Sequence, residues 1–429
     1  MSHVFIIDQD KKPLNPVHPA DARHLLKRGA AAVFRRYPFT LILKQRQPDA
    51  IVVPLRLKID PGSTTTGFAL LNEATGQVVW AAELTHRGQQ VKAKLDDRRA
   101  QRHGRRSRHT RYRAPRFQNR TRPKGWLAPS LRSRIQNVMT WVVRLNRYTS
   151  LANLSQELVR FDTQLMQDAE VSGIAYQQGE LQGYEVREYL LEKWQRCCVY
   201  CGAKDVPLQI EHIVPRARGG TDRVSNLTLA CEPCNQRKGT QTATEFGFPE
   251  IQAQAKQPLK NAAAVNTTRW ALYERLHQTG LPVETGTGGR TKWNRTTREL
   301  PKTHWLDAAC VGASTPEQVI ITGIVPLLIT ATGRQRRQMC LMDRFGFPRT
   351  KGKGLSTVRG FRTGDIATAR IPTGSKRGTA LGRIAVRKTG HFTITTNTST
   401  GQNVNVKYLT CLHHMDGYSY QTAQKGRSA

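Results

Sequence analysis

The stretch LQIEHIVPRARGGTDRVSNLTLACEPCNQRKG, residues 208–239, sets an acid beside a histidine (Glu211, His212) and follows them with two asparagines, Asn226 and Asn235, and the pair Cys231 and Cys234. A second Cys-x-x-Cys pair, Cys198 and Cys201, lies just upstream. Two such pairs supply four thiolates, enough for a closed tetrahedral structural zinc site. The 29 residues between the pairs exceed a plain zinc ribbon and leave room for a hairpin and the start of a helix. Gly219-Gly220 would let that hairpin fold back. Cys197 is a substitute ligand by position, but only Cys198 has the two-residue spacing.

The acid, His and Asn in this order match the parts needed to cut a phosphodiester with one divalent metal: oxygen ligands, a base for the attacking water, and something to hold the base. Glu211 and the amide oxygen of Asn235 are candidate Mg²⁺ ligands. His212 is the candidate general base. Asn226 either braces the loop or orients the imidazole. A structural ribbon with an incidental histidine explains the cysteines but not the ordered set. The pattern E-H-I-V-P…G-G…N-L…C-x-x-C-N-x-x-K-G resembles the HNH endonuclease family over residues 197–240, with Asn235 at the family's final His.

Composition narrows the partner. Lys plus Arg number 67 against 31 Asp plus Glu in 429 residues, a net charge of +36. A polyanion relieves that self-repulsion most readily, and nucleic acid is the usual one. A basic membrane binder would need an amphipathic basic helix or a long apolar span, and neither is present in the sequence. Eight cysteines with two C-x-x-C pairs point to metal in a reducing cytosol rather than a disulfide framework. The segment MSHVFIIDQDKKPLNPVHP turns polar after four apolar residues, unlike a signal peptide, so a prokaryotic cytoplasmic protein is expected.

Along the chain, VFIID reads as a strand, PADARHLLKRGAAAVFRR as a short helix and its exit, and FTLILKQ as a second strand. Residues 55–85 read as an antiparallel meander. Residues 98–122 hold 11 arginines and no acid. They predict a helix that begins near Asp97, ends by Pro115 and orders on a phosphate backbone, since Arg suits bidentate phosphate contacts. Residues 131–148 read as a helix, ELVRFDTQ (157–164) as a strand, HWLDAACVGAS as the start of a helix and EQVIITG as a strand. The region from Val325 carries 18 Lys plus Arg against three acids in short β-like runs, which predicts a small basic β-barrel.

A second set of acids is split by the first. Asp60 ends the apolar strand of KIDPGSTTTG, Glu157 begins ELVRFDT, and His304 and Asp307 lie three apart at a helix start and so share a face. Singly each has a structural explanation. Together they suit a two-metal phosphoryl-transfer site, in which three carboxylates hold two Mg²⁺ roughly 4 Å apart and His304 positions or deprotonates water.

The order Asp60…Glu157…His304-x-x-Asp307 resembles the RuvC branch of the RNase H fold. With an Arg-rich helix after the first segment, an HNH module before the third, and PLNP at 13–16 where a PLMP-type domain would sit, the chain resembles the IscB family of transposon-encoded RNA-guided nucleases, relatives of type II CRISPR effectors. The resemblance implies an α/β multidomain fold: an N-terminal PLMP-like domain (1–54), RuvC-like segment I (55–96), an Arg-rich bridge helix (97–122), RuvC-like segment II (123–180), the zinc-bearing HNH ββα module (181–250), a linker with RuvC-like segment III (251–324) and a basic β-rich domain (325–429). It implies one Mg²⁺ in the HNH site, two in the RuvC-like site, and structural Zn²⁺ on Cys198, Cys201, Cys231 and Cys234. The partners it implies are a structured, guide-bearing RNA and a double-stranded DNA target, with one protein chain per ribonucleoprotein and association with the nucleoid when bound to DNA. The HNH site would cut the target strand and the RuvC-like site the displaced strand, while the C-terminal region reads a short adjacent motif. Arg98, Arg99, Arg102, Arg105, Arg106, Arg108, Arg111 and Arg113 would contact phosphates.

Two other classes compete. A protein-guided HNH or homing-type nuclease explains the zinc and HNH residues but not the second carboxylate set. A catalytically inactive RNA-binding protein explains the charge but not the retention of every acid and His212.

Overall fold

The computed structural model describes residues 2–109, 125–158, 190–191, 193–204, 206–221, 224–256, 262–333, 343–345, 347–350, 357–374, 377–387, 389–396 and 400–422. The chain divides into two compact units. One comprises Met1–Leu57, Thr64–Ala152 and Gln318–Ala429; the other comprises Lys58–Ser63 and Asn153–Glu317. No helix among the described residues is long and apolar enough to cross a membrane.

The first unit opens with β1 (Phe5–Ile7), α1 (Pro19–Lys27), β2 (Ala31–Arg35) and β3 (Thr40–Leu43). Pro19 starts α1 where a missing N–H costs nothing, and Gly29, at φ 67°, lies just beyond its C-cap, Arg28. The AAVFR segment, expected as the helix's exit, is strand β2, antiparallel to β3, because Gly29 releases the chain into an extended run containing Val33 and Phe34.

The same unit holds β4 (Leu55–Asp60) in part, β5 (Thr65–Asn72), β6 (Gln77–Thr85), β11 (Leu327–Ala331) and β19 (Tyr418–Thr422), ordered β4-β5-β6-β11-β19. The β5–β6 hairpin is antiparallel, as the meander reading requires, and β11 joins β6 in parallel. The expected strand EQVIITG is instead loop with a single bridge, Gln77 to Ile320; the strand comes later, at LLITA. Gly323 at φ 74° and Pro326 separate the two stretches.

The Arg-rich helix, α2, runs Gly88–Ser107, starting nine residues earlier than Asp97 because VKAKLDD extends it upstream. Its expected end lies outside the described residues. It packs on α3 (Pro129–Tyr148), whose apolar face Leu131, Ile135, Val138, Trp141, Val142 and Leu145 is buried. Trp141 stacks on Trp80 of β6, ring centres 5.9 Å apart.

The basic C-terminal residues form β12 (Thr357–Val358), β13 (Phe361–Arg362), β14 (Ile366–Ile371), β15 (Gly378–Ala385), β16 (His391–Thr395), β17 (Thr400–Asn405) and β18 (Leu409–His413). Five of them make an antiparallel sheet in linear order β17-β16-β15-β14-β18, over a core of Ala367, Ala369, Ile384, Phe392, Ile394 and Val404. The order has two ends, so the described strands make an open sheet rather than the expected barrel.

In the second unit, β7 (Leu151–Glu157) lies between β4 and β10 (Val283–Gly286), and pairs with β10 in parallel. Glu157 ends this strand rather than beginning one, since LANLSQE carries the buried extended run and its continuation past Leu158 lies outside the described residues. The hairpin β8 (Leu208–His212) and β9 (Leu227–Cys231) leads into α4 (Glu232–Lys238), giving the expected ββα order. Then follow α5 (Glu250–Lys256), α6 (Ala262–His277), α7 (Gly288–Thr297) and α8 (His304–Ala309). The stretch 251–324, expected as a linker with a RuvC-like segment, thus holds several helices among its described residues.

Candidate active sites

The four cysteines meet. Cys198, Cys201, Cys231 and Cys234 place their sulfurs within 4.8 Å of one another. Cys201 Sγ lies 3.7 Å from Cys231 Sγ. Sulfurs at ~2.3 Å from a tetrahedral zinc lie about 3.8 Å apart, so the donor set fits that ion. Burial pushes the Cys198 thiol up, but backbone N–H groups of Cys231, Cys201 and Tyr200 outweigh it and bring it to about 7, favouring the thiolate. Cys197 stands apart, its thiol directed at the Trp194 carbonyl.

Strand alternation sorts the rest of the module. Gln209 and Glu211 share one face of β8, and Asn235 and Lys238, three apart, share one face of α4. The two faces pair: Asn235 Nδ2 donates to Gln209 Oε1 at 2.7 Å, and Lys238 Nζ donates to Glu211 Oε1 at 2.6 Å. Tyr200 donates its hydroxyl to Glu211 Oε2 at 2.9 Å. Burial and the Glu211 charge hold the Tyr200 phenol far above its ordinary value, so it stays a donor. Lys238 also donates to the His212 carbonyl at 2.8 Å. Glu211 thus sits in the interior with both oxygens on protein donors. Lys238 and Tyr200 fix the orientation of this carboxylate, and each oxygen keeps a second lone pair.

His212 lies half-buried at the end of β8 on the opposite face from Glu211. Asn226 resolves between its two readings in favour of the loop. Its Oδ1 accepts from Val214 N at 2.9 Å, and its Nδ2 donates to the carbonyls of Val214 and Thr221, each at 2.9 Å. That clamp shapes the loop from β8 to β9. Gly220 is required there, since a Cβ would meet the Val214 carbonyl oxygen at 1.7 Å.

The second acid set belongs to one neighbourhood. Asp60 and Glu157 end neighbouring strands, β4 and β7. Burial first, then the charges of Glu157 and Asp307, hold the Asp60 carboxyl well above the usual range, with Arg269 and Lys302 opposing. Asp307 is likewise raised by burial, against Arg295, Lys302 and His304. Thr303 caps α8, its Oγ1 accepting from Leu306 N at 3.3 Å, which places exposed His304 in the first turn on the Asp307 face.

Two arginines pair with these acids. Arg269 of α6 reaches Glu157 Oε1 at 2.8 Å and donates through Nε to the Pro61 carbonyl at 3.2 Å. Arg295 of α7 meets Asp307 Oδ1 at 2.7 Å. The far end of α8 is fastened from three directions. Buried Lys58, on the Asp60 face of β4, donates to the Val311 carbonyl at 2.7 Å. Asn294 Nδ2 donates to the carbonyls of Cys310 and Gly312 at 2.8 and 2.9 Å. Glu284 of β10 accepts from Ser155 Oγ at 2.7 Å and Ser314 N at 2.9 Å. These contacts fix α8, and with it Asp307, against β4 and β10.

Of the Arg-rich residues, Arg98, Arg99, Arg102, Arg106 and Arg108 are exposed and Arg105 is half-buried; Arg111 and Arg113 lie outside the described residues. Sequence reasoning missed Tyr200, Lys238, Arg269, Arg295, Glu284 and Lys58. Only Lys238 carried a signal, as the Lys of C-x-x-C-N-x-x-K-G; the others need distant segments brought together.

The RRXRR protein family matches residues 4–179, and the HNH endonuclease family matches residues 198–241, the span of the four-cysteine cluster, the hairpin and its helix. The chain thus carries a region that matches the RRXRR family, followed by an HNH endonuclease domain. The combination agrees with an IscB-like protein. No curated protein matches the chain. Similar solved structures include Streptococcus thermophilus Cas9 in complex with the AGAA PAM, at 13% identity and TM-score 0.23, over 60% of this chain and 32% of that one. Another is the Type II-C Cas9 enzyme from Actinomyces naeslundii, at 17% identity and TM-score 0.15, over 44% of this chain and 32% of that one. The chain spans about a third of the length of these proteins, and at such TM-scores the superpositions carry no argument.

Proposed function

We propose that the chain is an RNA-guided DNA endonuclease of the IscB type, a prokaryotic cytoplasmic protein that acts as a monomer within a ribonucleoprotein. A structured RNA bears a guide that pairs with one DNA strand; the HNH site cuts that strand, the Asp60–Glu157–Asp307 site cuts the displaced strand, and the basic region from residue 325 reads a short adjacent motif. The observation that carries this reading is the convergence of Asp60, Glu157 and Asp307 from three separated segments, in a chain that also holds an HNH domain. A lone HNH nuclease has no use for that second set. The seven segments set out from the sequence are part of the proposal, as is guidance by RNA, for which exposed arginines along α2 supply backbone contacts.

At the second site the donor set fits divalent metal. Burial first, and then the charges of Glu157 and Asp307, raise the Asp60 carboxyl, and a divalent cation bound there would offset both. When bound there, two Mg²⁺ would supply Lewis-acid stabilisation of the attacking and leaving oxygens. His304, exposed at the start of α8, is placed to take a proton from water. Arg269 and Arg295 pair with Glu157 and Asp307.

At the HNH site, His212 is the general base, held by β8 and by the Asn226-clamped loop. Asn235 remains a half-buried candidate ligand on α4. Glu211 and Asn235 would hold the single Mg²⁺ of this site, where the ion would supply Lewis-acid stabilisation, with Lys238 and Tyr200 orienting the Glu211 carboxylate.

The test is sequencing of the RNA that co-purifies with the full chain expressed beside its native flanking DNA, followed by strand-resolved cleavage with Mg²⁺. One abundant structured RNA with a variable end, required for cutting, supports the proposal. Mg²⁺-dependent cutting that survives removal of all RNA overturns it in favour of a protein-guided HNH nuclease. RNA binding with no cutting of either strand favours a catalytically inactive RNA-binding protein.

A further inference from the structure

A further set of metal-ligating atoms belongs to the C-terminal sheet and shares no residue with either proposed nuclease site. Asp365 precedes β14, while Cys411 and His414, three apart in sequence, sit in and just beyond β18. Strands β14 and β18 pair antiparallel with a register shift between Ile366 and Ala367. Such a bulge re-aims side chains, and here Asp365 Oδ, Cys411 Sγ and His414 ring nitrogen all fall within 4.8 Å of one another.

The distances have the scale of a coordination sphere. His414 Nδ1 lies 3.0 Å from Asp365 Oδ2, and Cys411 Sγ lies 3.5 Å from the same Nδ1. A tetrahedral zinc with ordinary Zn–N, Zn–O and Zn–S lengths separates its donors by about 3.3 Å for N and O and about 3.6 Å for N and S. Protons serve this arrangement poorly. A single Nδ1 can give its proton to Asp365 or accept one from Cys411, not both. A cation at the centre satisfies all three.

The carboxylate is built in before any ion arrives. Asp365 is fully buried; its Oδ1 accepts from Met415 N at 2.8 Å and its Oδ2 from Arg362 N at 2.9 Å. These backbone donors fix its orientation in the way outer-shell contacts orient metal ligands. His414 is exposed, so the fourth position faces water.

We propose that Asp365 Oδ2, Cys411 Sγ and His414 Nδ1 bind a zinc-class divalent ion, completed by water. Thiolate, imidazole and carboxylate together select zinc over magnesium or calcium. The ion ties the exit of β18 to the turn before β14.

The experiment is zinc analysis of the full-length protein, wild type and three variants. Wild type is expected to carry two zinc ions per chain. Cys411→Ser and His414→Ala should each carry one, and Cys231→Ser should keep the ion at Asp365. Cobalt titration of wild type should give a thiolate charge-transfer band of which Cys411→Ser removes the weaker, single-thiolate part. His414 is solvent-facing, so its replacement leaves the sheet folded, and circular dichroism checks this. Zinc content unchanged in both folded variants overturns the proposal. So does one zinc in wild type that is lost in Cys231→Ser. One zinc that persists in Cys231→Ser and is lost in Cys411→Ser upholds this site and removes the four-cysteine one.

Discussion

Lys238 Nζ donates to Glu211 Oε1 across 2.6 Å, and neither side chain is open to solvent: 0% of the Lys238 and 6% of the Glu211 side-chain surface is exposed. The pair joins the first strand of the HNH hairpin to its helix from within. Breaking a buried pair by removing one partner strands the other charge and costs about 3–5 kcal/mol. Lys238→Met should therefore destabilise the module by that order, read as earlier loss of protection in hydrogen exchange across β8, β9 and α4. The double variant Lys238→Met with Glu211→Leu should regain much of the loss. A double variant no more stable than the single one would show that the ion pair is not what holds strand to helix.

His212 is expected to act as a base at a site of its own. His212→Ala should slow cutting of the target strand by about 10²–10⁴-fold, the usual worth of a positioned general base. Displaced-strand nicking should be unchanged. Equal loss of both cuts, measured on strand-labelled DNA, contradicts the division into two sites.

Asp60 carries a pH-dependent cost. Its carboxyl is raised in the folded protein, so between the unfolded and folded values the native state binds more protons than the unfolded one. Stability of the metal-free protein should then fall as pH rises through that window and be fully relieved below it. Asp60→Asn should raise the melting temperature without metal at pH 7, flatten this dependence, and abolish displaced-strand nicking. A melting temperature below wild type in the metal-free state would show that the acids are not in mutual repulsion.

Arg269 bears on the same balance. It neutralises Glu157, with only 12% of the Arg269 side chain and 10% of the Glu157 side chain exposed. Arg269→Ala should lower metal-free stability and enlarge the stabilisation given by added Mg²⁺, since more negative charge then awaits the ions. Thermal shifts with and without Mg²⁺ measure both. An unchanged Mg²⁺ increment would place Arg269 outside the metal-binding electrostatics.

Zinc removal should act on the module and not on the carboxylate site. Metal binding by four cysteines is folding free energy for so small a core. Cys231→Ser or a strong chelator should make the region around residues 190–256 protease-sensitive and stop target-strand cutting, with displaced-strand nicking retained. Full protease resistance after complete zinc loss would show that the apolar cluster around Trp194, Leu208 and Leu229 folds unaided.

The residues of the HNH module were legible because its chemistry is local. The cysteine spacing, the Glu211-His212 step and the turn at Gly219-Gly220 all lie close in the chain, and the hairpin and helix form where those signals stand. Asp60 at a strand end and the His304-x-x-Asp307 turn were readable for the same reason. Strand boundaries were less so. Glu157 was read as opening a strand that it closes, because the alternation of LANLSQE is weak and its burial comes from its neighbours β4 and β10. The helices within 251–324 were not legible, because polar helices such as α7 show little periodicity until they pack. What only tertiary structure decided is how charges from distant segments are paired. Lys238 turns Glu211 inward, Arg269 and Arg295 hold Glu157 and Asp307, and Lys58 fastens α8 to β4. The sequence by itself determined which chemical groups are available and their local order. Their pairing depends on side chains that meet only when strands and helices far apart in the chain pack and exclude water, since only there does an ion pair or a crowded carboxylate acquire enough energy to choose one arrangement.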